Sequence, residues 1–253
     1  MPGAQTSAPL PKASALFNLI DGVARSPAPV EAKPDRGAAG GVIRSQRGTE
    51  YGEGEAVMGE ILSDAGMDLL FRKARTHRAW QDGGIGDALL AALYELAKMG
   101  PTSGNCNPMR VVFVKSREAK ERLKPFLDKG NVEKTMTAPV TAIIAYDTKF
   151  YDLLPTLSPN SDARSLYVND PEYAAITAFR NGSLQGAYLI VAARAVGLDC
   201  GPMSGFDNAK LDKEFFPDGR FKSNFLCNLG HGDPAALKPR NPRLSFDEAC
   251  NIV

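Results

Sequence analysis

The sequence has 253 residues, of which 43% are hydrophobic and 23% charged, a balance that suits a soluble globular fold with a sizeable core. A formal net charge of +1 argues against nucleic acid or an anionic membrane as partner, so any bound anion must be met by a local cluster of cations. Cys106, Cys200, Cys227 and Cys250 are widely spaced and have only His77 and His231 to join them, which argues against a metal site or a disulfide framework and suits a reducing cytoplasm. No apolar run approaches the ~20 residues of a membrane span.

Residues 1 to about 60 mix Pro2, Pro9, Pro11, Pro27, Pro29 and Pro34 with frequent glycine, and only Ser14 to Ile20 is briefly helical in pattern. Such a segment buries too little apolar surface to offset its ordering entropy, so it is expected to be a disordered tail, or an over-long start upstream of Met58 or Met67. Residues 61–253 are expected to form the folded domain. Asp64 is expected to cap a helix running through Arg75, and Asp87 to cap a second with Leu89, Leu90, Leu93, Leu96 and Ala97 on one face, ending at Gly100-Pro101. A strand is predicted at 110–115, a helix from Glu118 to Leu127, a short helix containing Asn131 and Lys134, and a buried strand at 139-PVTAIIAYD-147. The segment from 148 to 168, with Pro155 and Pro159, reads as a long loop and so as a candidate for function. Pro171 opens a long helix reaching Val196 and closed by Gly197. After 201-GPMSGFD-207 come a short helix near Lys210 to Phe215, a strand at 223-SNFLCNLG-230, and Ser245 and Glu248 at capping-box spacing. Few strands among many helices in irregular order predict an α+β fold.

A dinucleotide-binding loop is absent: 84-GIGDAL-89 has Leu89 at its third small position and follows no strand. There is no nucleophile elbow, Walker motif or metal-binding helix, so any enzymatic chemistry belongs to a bound cofactor. Four separated segments stand out instead. They are 74-ARTHRAW-80, 101-PTSGNCNP-108, 131-NVEK-134 and 202-PMSGF-206, followed by Arg240 and Arg243. In order and spacing, over about residues 64–253, they resemble the nitroreductase family of FMN enzymes. The resemblance implies a mainly antiparallel central sheet flanked by helices, and a homodimer with FMN at the subunit interface and NADH or NADPH as reductant. It puts Arg75, Thr76, His77, Arg78, Arg240 and Arg243 at the FMN phosphate. Pro101, Thr102, Ser103, Asn105 and Asn107 would run along the flavin ring, with Gly104 letting the backbone approach. Asn131 and Lys134 would reach the pyrimidine edge, and Pro202, Met203, Ser204 and Gly205 would pack near the reactive nitrogen.

Within that family the phrases GPTSGNC, TAPVTAI, FRNGSLQGAYLIVAARAVGLD, GPMSGFD and PRLSFDEA are similar to the malonic semialdehyde reductase (3-hydroxypropionate dehydrogenase) branch of pyrimidine catabolism. Asn107 stands where much of the wider family has glutamine, and Ser204 where many members are acidic. The likeness implies reduction of malonic semialdehyde to 3-hydroxypropionate. The alternatives are a broad nitroaromatic or quinone reductase and a non-catalytic flavin-binding protein. A small aldehyde bearing a carboxylate needs a cation over the ring, for which Arg164 and Arg180 are the candidates, against ion pairs with Asp162 or Glu172. Taken singly, the other residues have ordinary readings: Arg75 and Arg78 as a solvated helix end, Lys134 as a surface lysine, Asn131 as a helix cap, Cys106 as a small buried filler. Neither His77 nor His231 is assigned a catalytic proton.

Overall fold

The strands of this chain carry apolar residues at successive positions, and because side chains of a strand point alternately to its two faces, both faces of the sheet are apolar. The computed structural model describes residues 60–253, and the expected tail, but for its last residue, lies outside the described residues. Four strands form the sheet: β1 (Met109–Val114), β2 (Val140–Asp147), β3 (Asp199–Met203) and β4 (Phe221–Gly230). Their order is β1-β2-β4-β3 and every pairing is antiparallel. Val140 pairs with Leu229 and Cys200 also with Leu229, which sets β4 at the centre between β2 and β3. A bulge between Ile144 and Ala145 shifts the register against β4.

The helices are α1 (Asp64–Met67), α2 (Asp87–Ala97), α3 (Arg117–Leu123), α4 (Lys129–Met136), α5 (Leu154–Leu157), α6 (Ala163–Asn169), α7 (Pro171–Ala195), α8 (Asn208–Phe215) and α9 (Phe246–Ala249). On one face, Ala142, Ile144, Cys227 and Leu229 pack against Leu90 and Leu93 of α2 and Leu189 and Ala193 of α7. On the other, Ile143, Ala145 and Leu226 pack against Leu123 of α3 and Leu211 of α8. Each of these fully buried leucines contributes about 1.5–3 kcal/mol of transfer free energy. The 25-residue helix α7 approaches the sheet closely because Gly182 and Gly186 face it: a Cβ on Gly186 would lie 2.6 Å from the Phe225 ring. At the end of β2 the buried carboxylate of Asp147 accepts from Arg110 Nη2 (2.8 Å) and from Arg220 Nε and Nη2 (both 2.9 Å).

Several sequence-based expectations change. Ser63, not Asp64, caps the first helix, whose α-helical part stops at Met67 and continues as a wider π turn to Arg72, short of Arg75. Asp87 is the first residue of α2 rather than its cap, which is Gly86. The helix expected from Glu118 to Leu127 is α3 plus a 3-10 turn over Lys124–Phe126, where Pro125 has no N–H to continue the α pattern. The long loop at 148–168 is mostly helical: a 3-10 turn at Phe150–Leu153, α5 and α6 bury Phe150, Leu154 and Tyr167 in a small core of their own. Strand β3 was not expected, because Gly201 and Pro202 are poor strand residues. Pro202 is tolerated on the last strand of the sheet, where its missing N–H breaks no inner ladder.

Candidate active site

Six cationic side chains, Arg75, Arg78, Arg194, Lys238, Arg240 and Arg243, line a cleft of about 420 Å³ together with Thr76, and none of the described carboxylates lines it. The cleft forms because two distant segments hold each other. Arg75 donates from Nη2 to the Lys238 carbonyl, and Arg240 donates in the opposite direction to Ala74 O (2.7 Å) and Arg72 O (3.0 Å). Arg243 bonds its own segment, Nη1 donating to Asn241 O (3.0 Å) and Pro242 O (3.1 Å). Carbonyl acceptors satisfy these N–H groups without neutralising their charge, so the cleft is matched to an anion with several acceptor oxygens.

The 74–80 segment lies along β3. Thr76 bridges Cys200 in parallel, and His77 N donates to Cys200 O at 3.0 Å. Unlike its neighbours, His77 turns its ring inward and does not line the cleft. Its Nε2 stands 3.4 Å from Asp199 Oδ1, and Gly232 packs so tightly on it that a Cβ there would lie 1.9 Å from Nδ1. His77 therefore acts as a strut between this segment and the ends of β3 and β4. Two buried side-chain nitrogens among the described residues have no hydrogen-bond partner, His77 Nδ1 and Arg194 Nε.

The 131–134 and 202–206 segments join the first. Trp80 Nε1 donates to Lys134 O at 2.9 Å, and Asn228 Nδ2 to the same oxygen at 3.0 Å. Withdrawal of the Lys134 ammonium from water, with the Arg78 charge nearby, holds its pKa below the ordinary lysine value. Asn131 Nδ2 donates to Gly205 O at 2.6 Å, and Asp128 N to the same carbonyl at 3.1 Å. Met203 is buried, its Sδ accepting from Thr135 Oγ1 at 3.5 Å, while Ser204 is exposed. Three of the four segments thus converge on one side of the molecule.

The fourth does not. Pro101, Asn105 and Asn107 line a separate cleft of about 990 Å³ beside Tyr94 and Leu153. Asn181 of α7 accepts from Ser103 N at 2.8 Å, and Gln185 donates to Asn107 Oδ1 at 3.1 Å and accepts from Met109 N at 2.9 Å. Thr102 Oγ1 accepts from Asn107 N at 3.2 Å, and the loop turns through positive φ at Gly104 (55°), Asn105 (53°) and Asn107 (40°). That conformation favours glycine and asparagine and accounts for the small polar residues there. Cys106 is buried beneath, its thiol pushed up to about 11 by burial, as suits an unreactive filler. Arg164 pairs loosely with Asp152 (3.5 Å), not with Asp162. Arg180 lies on α7 beside Ile176 and Phe179, and neither arginine lines the cationic cleft.

Sequence reasoning missed Arg194 and Lys238. The available signals were a single charge in the apolar run 191-VAARAVG-197 and a lysine two positions before Arg240. No cluster of His, Cys, Asp or Glu among the described residues is arranged to hold a metal ion, and no described helix is long and apolar enough to cross a membrane.

The chain is 57% identical over 196 residues to a Rhodopseudomonas palustris (strain TIE-1) protein that carries the provisional name NADH dehydrogenase/NAD(P)H nitroreductase, covering 78% of this chain and 100% of that protein. It is 56% identical over 196 residues to a Polynucleobacter asymbioticus protein of the same provisional name, again covering 78% and 100%. Its fold matches a provisionally named nitroreductase from Exiguobacterium sibiricum, solved in complex with FMN, with a TM-score of 0.67 and 19% identity over 78% of this chain and 100% of that one. The family model described as Nitroreductase family matches residues 71–231. With that match and these identities, the chain belongs to the nitroreductase family of oxidoreductases.

Proposed function

We propose that this protein binds FMN, with the cofactor's phosphate in the cationic cleft, and uses NAD(P)H to reduce a small carbonyl compound. The cleft carries this reading: six cations from three separate parts of the chain, no described carboxylate among them, and one buried guanidinium nitrogen without an acceptor. A phosphate monoester brings nearly two negative charges and three acceptor oxygens, which is what these groups lack. The names of its relatives and the FMN complex of a fold neighbour support the same reading. When bound, FMN supplies hydride exchange between the dinucleotide and the substrate.

In this reading Arg75, Thr76, Arg78, Arg240 and Arg243 hold the phosphate. Asn131 keeps its side-chain oxygen free for a ring N–H, because its amide is spent on Gly205. Lys134, partly withdrawn from water, offers charge to the ring's polar edge. Pro202, Met203, Ser204 and Gly205 form the neighbouring wall. Pro101, Asn105 and Asn107 face a different cleft, so this loop, with Thr102 and Ser103, reaches the cofactor from a second copy of the chain in a homodimer. Exposed Tyr173, Ile176, Phe179, Leu184 and Tyr188 along α7 support that pairing.

The substrate in this reading is malonic semialdehyde, reduced to 3-hydroxypropionate in pyrimidine degradation, with Arg164 or Arg180 meeting its carboxylate. The four free cysteines go with a cytoplasmic location. One observation favours a second reading, a broad nitroaromatic or quinone reductase: Arg164 is tied to Asp152 and neither candidate arginine lies at the cleft. The test is direct. The purified protein should be yellow, release FMN on denaturation, and bleach anaerobically with NADH or NADPH. A colourless protein removes the flavin assignment, and a yellow one that does not bleach is a flavin-binding protein without this activity. Turnover on malonic semialdehyde against a nitroaromatic then separates the two substrate readings.

A further inference from the structure

Arg194 stands in the last turn of α7, the one charge in the run from Val191 to Gly197. A cation at a helix C-terminus is favoured by the macrodipole, but a solvated arginine would serve that purpose equally well. This side chain is not free in solvent. It lines the cationic cleft while its neighbours Leu189, Ala192 and Ala193 are buried in the core, and its Nε is buried with no acceptor. Its one hydrogen bond to the described residues is a long one, from Nη1 to Leu70 O at 3.4 Å. With its stem anchored against the core and its guanidinium at the cleft wall, Arg194 is placed to meet an acceptor that arrives from outside the chain.

The other cleft cations are held differently. Arg75, Arg240 and Arg243 spend donors on backbone carbonyls of the 72–74 and 238–242 segments. These are connecting segments, whereas Arg194 is rooted on the 25-residue helix that packs against the sheet. A charge fixed by the core loses little freedom when a ligand binds, so its contribution to affinity is larger than that of an exposed arginine on a connecting segment.

We propose that Arg194 is a direct ligand of the cofactor phosphate and discriminates FMN from riboflavin, its unphosphorylated counterpart. This rests on the flavin reading above. Dilution of flavin-loaded protein, followed by the fluorescence of released flavin, gives dissociation constants for FMN and for riboflavin. Arg194→Gln should weaken FMN binding about ten- to hundredfold, the range for a lost charged hydrogen bond, and leave riboflavin binding unchanged. A parallel loss for both flavins would make Arg194 a strut for Leu70 and overturn the inference, as would unchanged binding of both. Should Arg194→Gln fail to fold, Arg194→Lys keeps the charge and stem but loses the planar fork. It should weaken FMN severalfold with riboflavin again unmoved, and a parallel fall in both would overturn the inference. Parent protein that binds neither flavin overturns the flavin reading itself and this inference with it, a result distinct from any behaviour of the variants.

Discussion

Lys120 is buried on α3 with no carboxylate partner among the described residues, its Nζ donating to Thr135 O (2.8 Å) and Thr141 Oγ1 (2.5 Å). Burial pulls its pKa down to about 7 from the ordinary 10.5. Unfolded chains keep this proton up to the ordinary value while the folded protein releases it near neutrality, so between the two the unfolded state binds more protons and stability rises with pH. The gain is complete above the unfolded pKa and lost as pH falls through the folded one. From neutrality to about pH 9 the contribution is about 2 kcal/mol. Melting curves of the parent and of Lys120→Met should therefore diverge over this range, the parent gaining on the variant as pH rises; parallel curves would show that Lys120 keeps its proton throughout. Gly205 gives a second test at the same scale. A Cβ there would lie 2.6 Å from both Asn131 Nδ2 and Asp128 Oδ2. Gly205→Ala must push Asn131 aside, which should cost about 1–3 kcal/mol in calorimetry and weaken flavin retention.

At the scale of elements, the cleft exists because the 72–75 segment and the arm after β4 grip each other through Arg75 and Arg240. Arg75→Ala removes a proposed phosphate ligand and one half of that grip together. It should weaken FMN binding by about 1.5–3 kcal/mol and speed proteolysis of residues 237–253, whereas unchanged values of both would detach Arg75 from the site. Strands β1 and β2 were legible as runs of β-branched and apolar residues, and β4 through Phe225, Leu226, Cys227 and Leu229, which go alternately to the two faces of the sheet. β3 was hidden by Gly201 and Pro202, whose place on the last strand is a property of topology rather than of the local residues. The helices between 148 and 169 were hidden for a related reason. They are short and proline-bearing, and hold their shape by burying Phe150, Leu154 and Tyr167 rather than by propensity. In the site, the turn-forming 101–108 segment and the arginines at 75, 78, 240 and 243 stand out through a resemblance that covers several motifs at once. Arg194 did not, since a lone arginine ending a helix reads as a dipole partner until its buried, unanswered nitrogen is seen. The ion pairs of Asp147 with Arg110 and Arg220 were equally invisible, because they join residues far apart in sequence.

For the whole molecule, the decisive feature is that the four segments do not meet within one chain. The cationic cleft and the 101–107 loop share no lining residue, yet both are open to solvent and both border α7 or its neighbours. Along α7, Tyr173, Ile176, Phe179, Leu184 and Tyr188 are each at least 40% exposed, a run of apolar surface that monomeric proteins rarely leave uncovered. In the proposed homodimer a second copy laid on this helix would cover the run and bring one chain's loop toward the other chain's cleft, which would make cofactor binding a property of the pair. Replacing two of these residues, Ile176→Glu with Leu184→Glu, puts charges where the partner would pack while sparing Phe179, whose ring stands edge-on to Tyr146 of β2. The variant should elute as a monomer in sizing with light scattering, keep its circular dichroism, and lose most of its flavin at concentrations where the parent stays loaded. A monomer that retains FMN as tightly as the parent would show that one chain completes the site, and Pro101 to Asn107 would then have no part in holding the cofactor.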